Sequence, residues 1–125
     1  MLDLLLSAGD DVLERSTEQL EVSRLSKKLG QPFMITVKSL TLSEFSNAGT
    51  GDERIVHILL KGVTEPDLSS EALRKKFTPK ERKTPLTPVE LVKVLFLPGE
   101  IFNIYNAISD LSGFSDDAVA KIEKN

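Results

Sequence analysis

The fold of this chain is decided by the stretch TPVELVKVLFLPGE at residues 87–100, which starts the most apolar part of the sequence. Thr87 at the N-cap, Pro88 at the first helical position and Glu90 at the third are a strong signal for a helix start. The residues that follow are apolar nearly all round, which predicts a helix central to the core or partly covered by another chain. None of these side chains has the character of a catalyst, so the stretch favours a scaffold and binding surface over an active site.

A second helix is predicted beyond the break at Leu97-Pro98-Gly99. It runs from about Gly99 to Ser112 with apolar residues along one side, and Gly113 suits the position just after its end. Most apolar side chains of residues 88–114 should form the core. We expect a partly exposed subset of aromatic residues to bind a partner, namely Phe96, Phe102 and Phe114.

The segments on either side of these two helices are polar. Residues 115–125 predict a short final helix that Ser115 caps and that frays at the terminus. Residues 77–87 predict a flexible basic loop, because prolines stand there among Thr and Lys. The bases concentrate in residues 74–83, where six Lys or Arg stand against one Glu. A solvated loop or helix face is the ordinary interpretation of such a charge run.

The N-terminal part of the chain shows a strand pattern. Residues 19–25 alternate apolar and polar side chains, and residues 33–40 resume the alternation with β-branched residues. These two segments are expected to form a hairpin with a loop of several residues. We therefore predict a single domain over residues 1–125 with a mainly helical α+β fold, in which a small N-terminal β-hairpin packs on five or six helices.

The composition narrows the classes of function. The net charge of −3 gives no general attraction to phosphate backbones or anionic membranes, and the chain has no cysteine to serve as a nucleophile or metal ligand. His57 is the only histidine, so a catalytic or metal-binding constellation lacks its usual members. We expect no enzyme and no cofactor. No apolar run approaches the roughly 20 residues that span a bilayer, so we expect a cytoplasmic protein without a membrane partner.

DNA binding is the main alternative to a protein-binding role. The two helices joined at Leu97-Pro98-Gly99 have roughly the lengths of a helix–turn–helix, and the basic residues at 74–83 offer positive charge. The second helix, however, bears Glu100 and Asp110 and no Lys or Arg. It therefore lacks a cation that reads base edges or pairs with phosphates, which argues against nucleic acid.

Four segments form an ordered set that carries a family resemblance. They are RLSKKLGQPF at residues 24–33, GVTEPDL at 62–68, LPGEI at 97–101 and LSGF at 111–114. In this order and spacing they resemble the XkdN-like tail assembly chaperones of phages and phage-like elements of Gram-positive bacteria. No single segment is specific, and the set as a whole covers roughly the entire chain.

The resemblance implies a non-enzymatic chaperone that binds the tape measure protein and keeps it soluble while a long phage tail is built. It also implies the tail tube protein as a further partner, and a longer form of the chain made by ribosomal frameshifting. Self-association into a homo-oligomer stays open. The alternative that follows from the DNA-binding interpretation is a regulator encoded in a prophage region.

Overall fold

Seven α-helices and three short strands follow one another in residues 1–122, the part of the chain that this computed structural model describes. The helices are α1 (Leu2–Leu6), α2 (Ser23–Leu29), α3 (Leu42–Ser46), α4 (Arg54–Gly62), α5 (Glu71–Lys76), α6 (Pro88–Leu95) and α7 (Pro98–Ser109). The strands are β1 (Thr17–Glu21), β2 (Met34–Lys38) and β3 (Val63–Glu65). A 3₁₀ turn covers Asp10–Leu13 and a π-helical turn covers Asp110–Phe114. The predicted mainly helical α+β class is confirmed.

The predicted hairpin is only partly right. Strands β1 and β2 do pair antiparallel, with Leu20 opposite Ile35, but β3 adds a third strand on the other side of β2. The connection between β1 and β2 is the helix α2 and not a loop. Leu25 and Leu29 lie four residues apart within α2, and Gly30 ends it in the left-handed conformation at a φ of 73°. The expected five or six helices are thus seven in the described residues, with α2 as the unforeseen one.

The core lies where α4 and α7 pack on each other and on β2. Ile35 and Val37 are fully buried on the inner side of β2, as the strand alternation indicates. Ile58 and Leu59 of α4 and Ile108 of α7 are fully buried opposite them. These side chains belong to one continuous cluster, so the sheet and the helices stabilise one another.

Helix α4 ends in a close approach to α7. A β-carbon placed on Gly62 would lie 2.5 Å from Cδ1 and 2.8 Å from Cγ1 of Ile108. No larger residue than glycine fits this position unless the fully buried Ile108 side chain moves.

A corner joins α6 to α7. The predicted capping box opens α6, because Glu90 N donates to Thr87 Oγ1 over 3.2 Å and Thr87 N donates to Glu90 Oε1 over 3.0 Å. At the start of α7, Leu97 N donates to Glu100 Oε1 over 2.8 Å. Within residues 1–122, no single helix is long and apolar enough to cross a membrane. Helix α6 and the stretch Pro98–Phe114, which is α7 with its π-helical turn, reach that length only as a pair bent by 116°.

The predicted final helix is wrong over residues 115–122, which form turns and irregular backbone. Gly113 takes a φ of 89° and turns the chain out of the helical path. A separate short helix beyond it has no core to pack on, since Val119 and Ile122 are both exposed. The remainder of that prediction, residues 123–125, lies outside the described residues.

Candidate partner-binding surface

An apolar groove of about 580 Å³ runs between α2, α5 and α6 and is referred to below as the α2–α5–α6 groove. Each of the three helical segments contributes a pair of apolar side chains, and Phe33 and Pro66 complete the apolar lining. The three pairs are Leu25 and Leu29, Leu73 and Phe77, and Val94 and Leu95.

Local sequence explains why these side chains converge. The pairs from α2 and from the α5 segment are each spaced four residues apart, so both members lie on the same side of their helix. In α6, Leu91 and Val92 are fully buried, whereas Val94 is 62% exposed and lies in the groove. Helix α6 is therefore apolar on nearly all sides because one side is buried in the protein interior and another side lines the open groove.

Two cations stand in the groove wall. Arg24 is held in place, because its Nε and Nη2 donate to Glu100 over 2.9 Å each and Nη2 also donates to Leu95 O over 2.8 Å. The hydrogen bonds from Arg24 lower the pKa of the Glu100 carboxyl. Lys28 is exposed and, among residues 1–122, has no carboxylate within ion-pair distance. The described groove lining thus combines an apolar surface with the positive charge of Lys28, since the charge of Arg24 is paired with Glu100.

The three aromatic residues predicted from the sequence lie elsewhere. The expected exposure of Phe96 is wrong: it is 2% exposed, because the extended backbone at the end of α6 directs its ring into the core. Phe102 is 53% exposed and lines a smaller hollow of about 230 Å³ with Ile55 and Ile101. Phe114 is 65% exposed and stands edge-on to Phe45 at 5.2 Å between ring centroids. Exposure is confirmed for Phe102 and Phe114, and a binding role for all three stays a prediction.

Residues 77–87 form no regular element in the structure, but several hydrogen bonds hold this basic segment to its neighbours. Leu86 is buried, and its N–H donates to Thr78 Oγ1 over 3.0 Å. Arg82 makes two hydrogen bonds to the Glu90 carboxylate, at 2.7 and 2.8 Å. At least one of the bases therefore stabilises the start of α6. The predicted flexibility of the segment stays a prediction.

The Arg82–Glu90 pair predicts a specific dependence of stability on pH. The hydrogen bonds from Arg82, helped by the Thr87 N–H, lower the pKa of Glu90 from 4.5 to about 2. This pair raises the free energy of unfolding above about pH 4.5, and its contribution is lost as the pH falls towards 2. We therefore expect Glu90→Gln to be less stable than the wild type at pH 7, with the difference shrinking between pH 4.5 and 2. Urea unfolding at a series of pH values measures it.

The matched control for this experiment is Glu71→Gln. Glu71 pairs with Lys75 over 3.1 Å on the exposed side of α5, where both side chains are mostly in solvent. Exposed pairs of this kind contribute little, so the control should follow the wild type at every pH. A difference in free energy of unfolding between the wild type and Glu90→Gln that stays constant down to pH 2 would show that the ionised Glu90 carboxylate does not stabilise the fold through Arg82.

The described part of the chain offers little support for a catalytic or metal-binding site. Among residues 1–122, no three potential metal ligands of the His, Cys, Asp or Glu type lie together. His57 is half-buried on α4. The expectation that the chain needs no cofactor and is not an enzyme stays a prediction.

Comparisons with known proteins agree with this architecture. Curated protein sequences give no match. The crystal structure of the protein YqbN is similar, with a TM-score of 0.56 over 80% of this chain and 88% of that chain, at 22% sequence identity. At this identity the likeness concerns the fold alone. The family model for the phage XkdN-like tail assembly chaperone protein matches residues 51–124, which is more than half of the sequence. The chain therefore belongs to the XkdN-like family of phage tail assembly chaperones.

Proposed function

We propose that this protein binds the tape measure protein of a phage tail through the α2–α5–α6 groove and keeps it soluble during assembly. The observation that carries this proposal is the groove itself, an open apolar surface whose rim exposes Leu29, Phe77 and Val94. Exposed apolar patches of this kind on a small protein mark sites of interaction with other proteins. The family role in tail assembly supports a protein partner.

The shape of the groove fits a helical partner. A tape measure protein, as the family resemblance implies, is a long rod prone to aggregate, and an amphipathic helix laid in a groove is a recurring mode of recognition. Helices α2 and α6 have seven and eight residues, so the groove they border is at most roughly 10–12 Å long. It therefore accommodates at most about two turns of a partner helix. One copy covers a short length of the rod, and several copies should bind along it.

The alternative of a DNA-binding regulator has weaker support. The strongest feature in its favour is the basic segment, yet Arg82 of that segment is engaged with Glu90. Helix α7 carries Glu100 and has no Lys or Arg in Pro98–Ser109. Recognition of a duplex needs cations that face the phosphates, and this pair of helices supplies few.

Co-expression with the tape measure protein tests the proposal. We expect the wild type to hold that protein in the soluble fraction and to co-elute with it, at several copies per partner by light scattering. Val94→Asp should weaken binding by at least roughly tenfold, because it places a charge in the apolar groove. Val94 is largely exposed, so the substitution should leave the fold intact, which the melting temperature checks.

Two further variants sharpen this experiment. Leu42→Asp is the matched control, because Leu42 is 81% exposed at the start of α3 and lies outside the groove lining. Phe102→Asp tests the smaller hollow. Loss of binding with Phe102→Asp and not with Val94→Asp would move the site to that hollow. A tape measure protein that stays insoluble beside the wild type would remove the proposed function.

A further inference from the structure

The N-terminal helix α1 displays an apolar surface that the rest of the molecule leaves open. Its leucines, Leu2, Leu4, Leu5 and Leu6, are 66–74% exposed, and every residue from Met1 to Gln19 is exposed. A helix of five residues is far shorter than the roughly 12–15 residues at which an isolated helix becomes marginally stable in water. Such a leucine-rich turn therefore needs a surface to cover it.

The α2–α5–α6 groove has the dimensions and polarity that α1 requires. Leu2, Leu5 and Leu6 follow the spacing i, i+3, i+4, which places them on one side of the helix. This is the anchor pattern with which a helix enters an apolar groove. Five residues of helix are about 7.5 Å long, which is shorter than the roughly 10–12 Å of the helices α2 and α6 that border the groove.

The charges of the two surfaces are complementary. Residues 1–13 contain Asp3, Asp10 and Asp11 and no Lys or Arg. In the groove wall, Arg24 is already paired with Glu100, whereas the exposed Lys28 has no carboxylate within ion-pair distance among residues 1–122. Asp3 borders the leucine side of α1, so a docked helix would bring its carboxylate towards Lys28. Complementary charge at the edge of an apolar contact favours the correct partner and the correct orientation.

From these observations we infer that the α2–α5–α6 groove of one copy receives the α1 helix of a second copy. Strand β1 leads directly into α2, the groove wall, so the residues before β1 leave from the end of the strand remote from the groove, about 15 Å away. To reach its own groove, α1 would have to turn back along β1 over that distance, whereas the groove of a second copy needs no such reversal. Two copies that exchange α1 form a closed two-fold dimer in which both grooves are filled.

This inference rests on the proposed function, which places the tape measure protein in the same α2–α5–α6 groove. The exchanged α1 would therefore control access to that binding site. In the dimer, α1 shields the apolar lining from water and from non-specific contacts. A tape measure helix then binds by displacing α1, so the two occupants compete. The dimer itself is testable without any tail protein, and the two proposals can fail separately.

The test uses full-length protein and sedimentation velocity over a wide concentration range. The wild type should dimerise, and both Leu5→Asp in α1 and Val94→Asp in the groove should weaken dimerisation by at least roughly tenfold. An equal mixture of the two variants should recover a heterodimer, because it still offers one intact helix and one intact groove. Leu42→Asp should dimerise like the wild type.

The other outcomes overturn the inference. A wild type that stays monomeric at millimolar concentration excludes the dimer, and an effect of only one of the two variants places the interface elsewhere. If the wild type is itself monomeric, and Leu5→Asp still changes the NMR shifts of the groove methyl groups, then α1 occupies the groove of its own copy and the inference is wrong. Co-sedimentation with phosphatidylcholine vesicles that Leu5→Asp abolishes would make a lipid surface the cover of α1. Retained binding to the tape measure protein without dimerisation would remove this inference and leave the proposed function standing.

Discussion

Replacing Ile108 with Ala should lower the free energy of unfolding by about 2–5 kcal/mol, which is a large share of the roughly 5–15 kcal/mol that holds a domain of this size together. Ile108 is fully buried on α7, where that helix packs on α4 and β2. Removing its three outer carbons loses apolar burial and leaves a void that a close-packed core closes only in part. Urea unfolding followed by circular dichroism measures the change.

The same substitution at Ile122 is the control. Ile122 is 86% exposed, so Ile122→Ala removes the same atoms from a position that buries few of them, and the change should stay within about 0.5 kcal/mol. Equal stability of Ile108→Ala and the wild type would show that α7 does not pack on the core as described.

A second large effect is expected at Gly62. Replacing Gly with Ala inside a helix normally stabilises it by up to about 1 kcal/mol, but here the new β-carbon would lie 2.5 Å from Cδ1 of Ile108. Because Ile108 is fully buried, its side chain has little room to move aside. Gly62→Ala should therefore destabilise the protein by about 1–3 kcal/mol.

Two further variants separate the steric effect from helix propensity. Gly99→Ala in α7 meets no atom within 4 Å among the described residues, so it should be neutral or mildly stabilising. In the Ile108→Ala background the added methyl group of Gly62→Ala finds space, and the two changes should couple by about 0.5–3 kcal/mol. Additive effects in this double-mutant cycle would contradict the predicted contact.

The parts of the fold that the sequence predicted correctly are those with a local cause. Thr87 and Glu90 form the capping box that their spacing indicates, and the alternation of Ile35 and Val37 identifies the buried side of β2. The helix α2 was missed because the alternation of residues 19–25 continues past the actual end of β1 at Glu21. Local pattern alone does not tell where a strand stops and a helix begins when the apolar residues suit both.

The groove was missed for a different reason. Its lining comes from three segments that lie far apart in the sequence, with Leu29, Leu73 and Val94 as representatives. Each segment shows only a short apolar pair beside basic residues, and tertiary packing brings the pairs together. The burial of Phe96 likewise depends on the backbone turn after α6, which directs the ring inwards. Residue type and helical spacing do not contain that information.

The late position in the sequence of α7, which packs on α4 and β2, has a consequence for synthesis of the protein. Leu40 N donates to Ser112 Oγ over 2.9 Å, a contact between residues 72 positions apart, and Ser112 Oγ in turn donates to Ile108 O over 2.6 Å. At roughly 5–20 residues per second, the ribosome delivers α7 about 4–14 s after β2. Throughout that interval the apolar side of β2 lacks the packing that α7 provides. A nascent chain of this protein therefore leaves part of its core open until α7 emerges, which favours aggregation, and a product cut short before Ser112 would lack the hydroxyl to which Leu40 N donates.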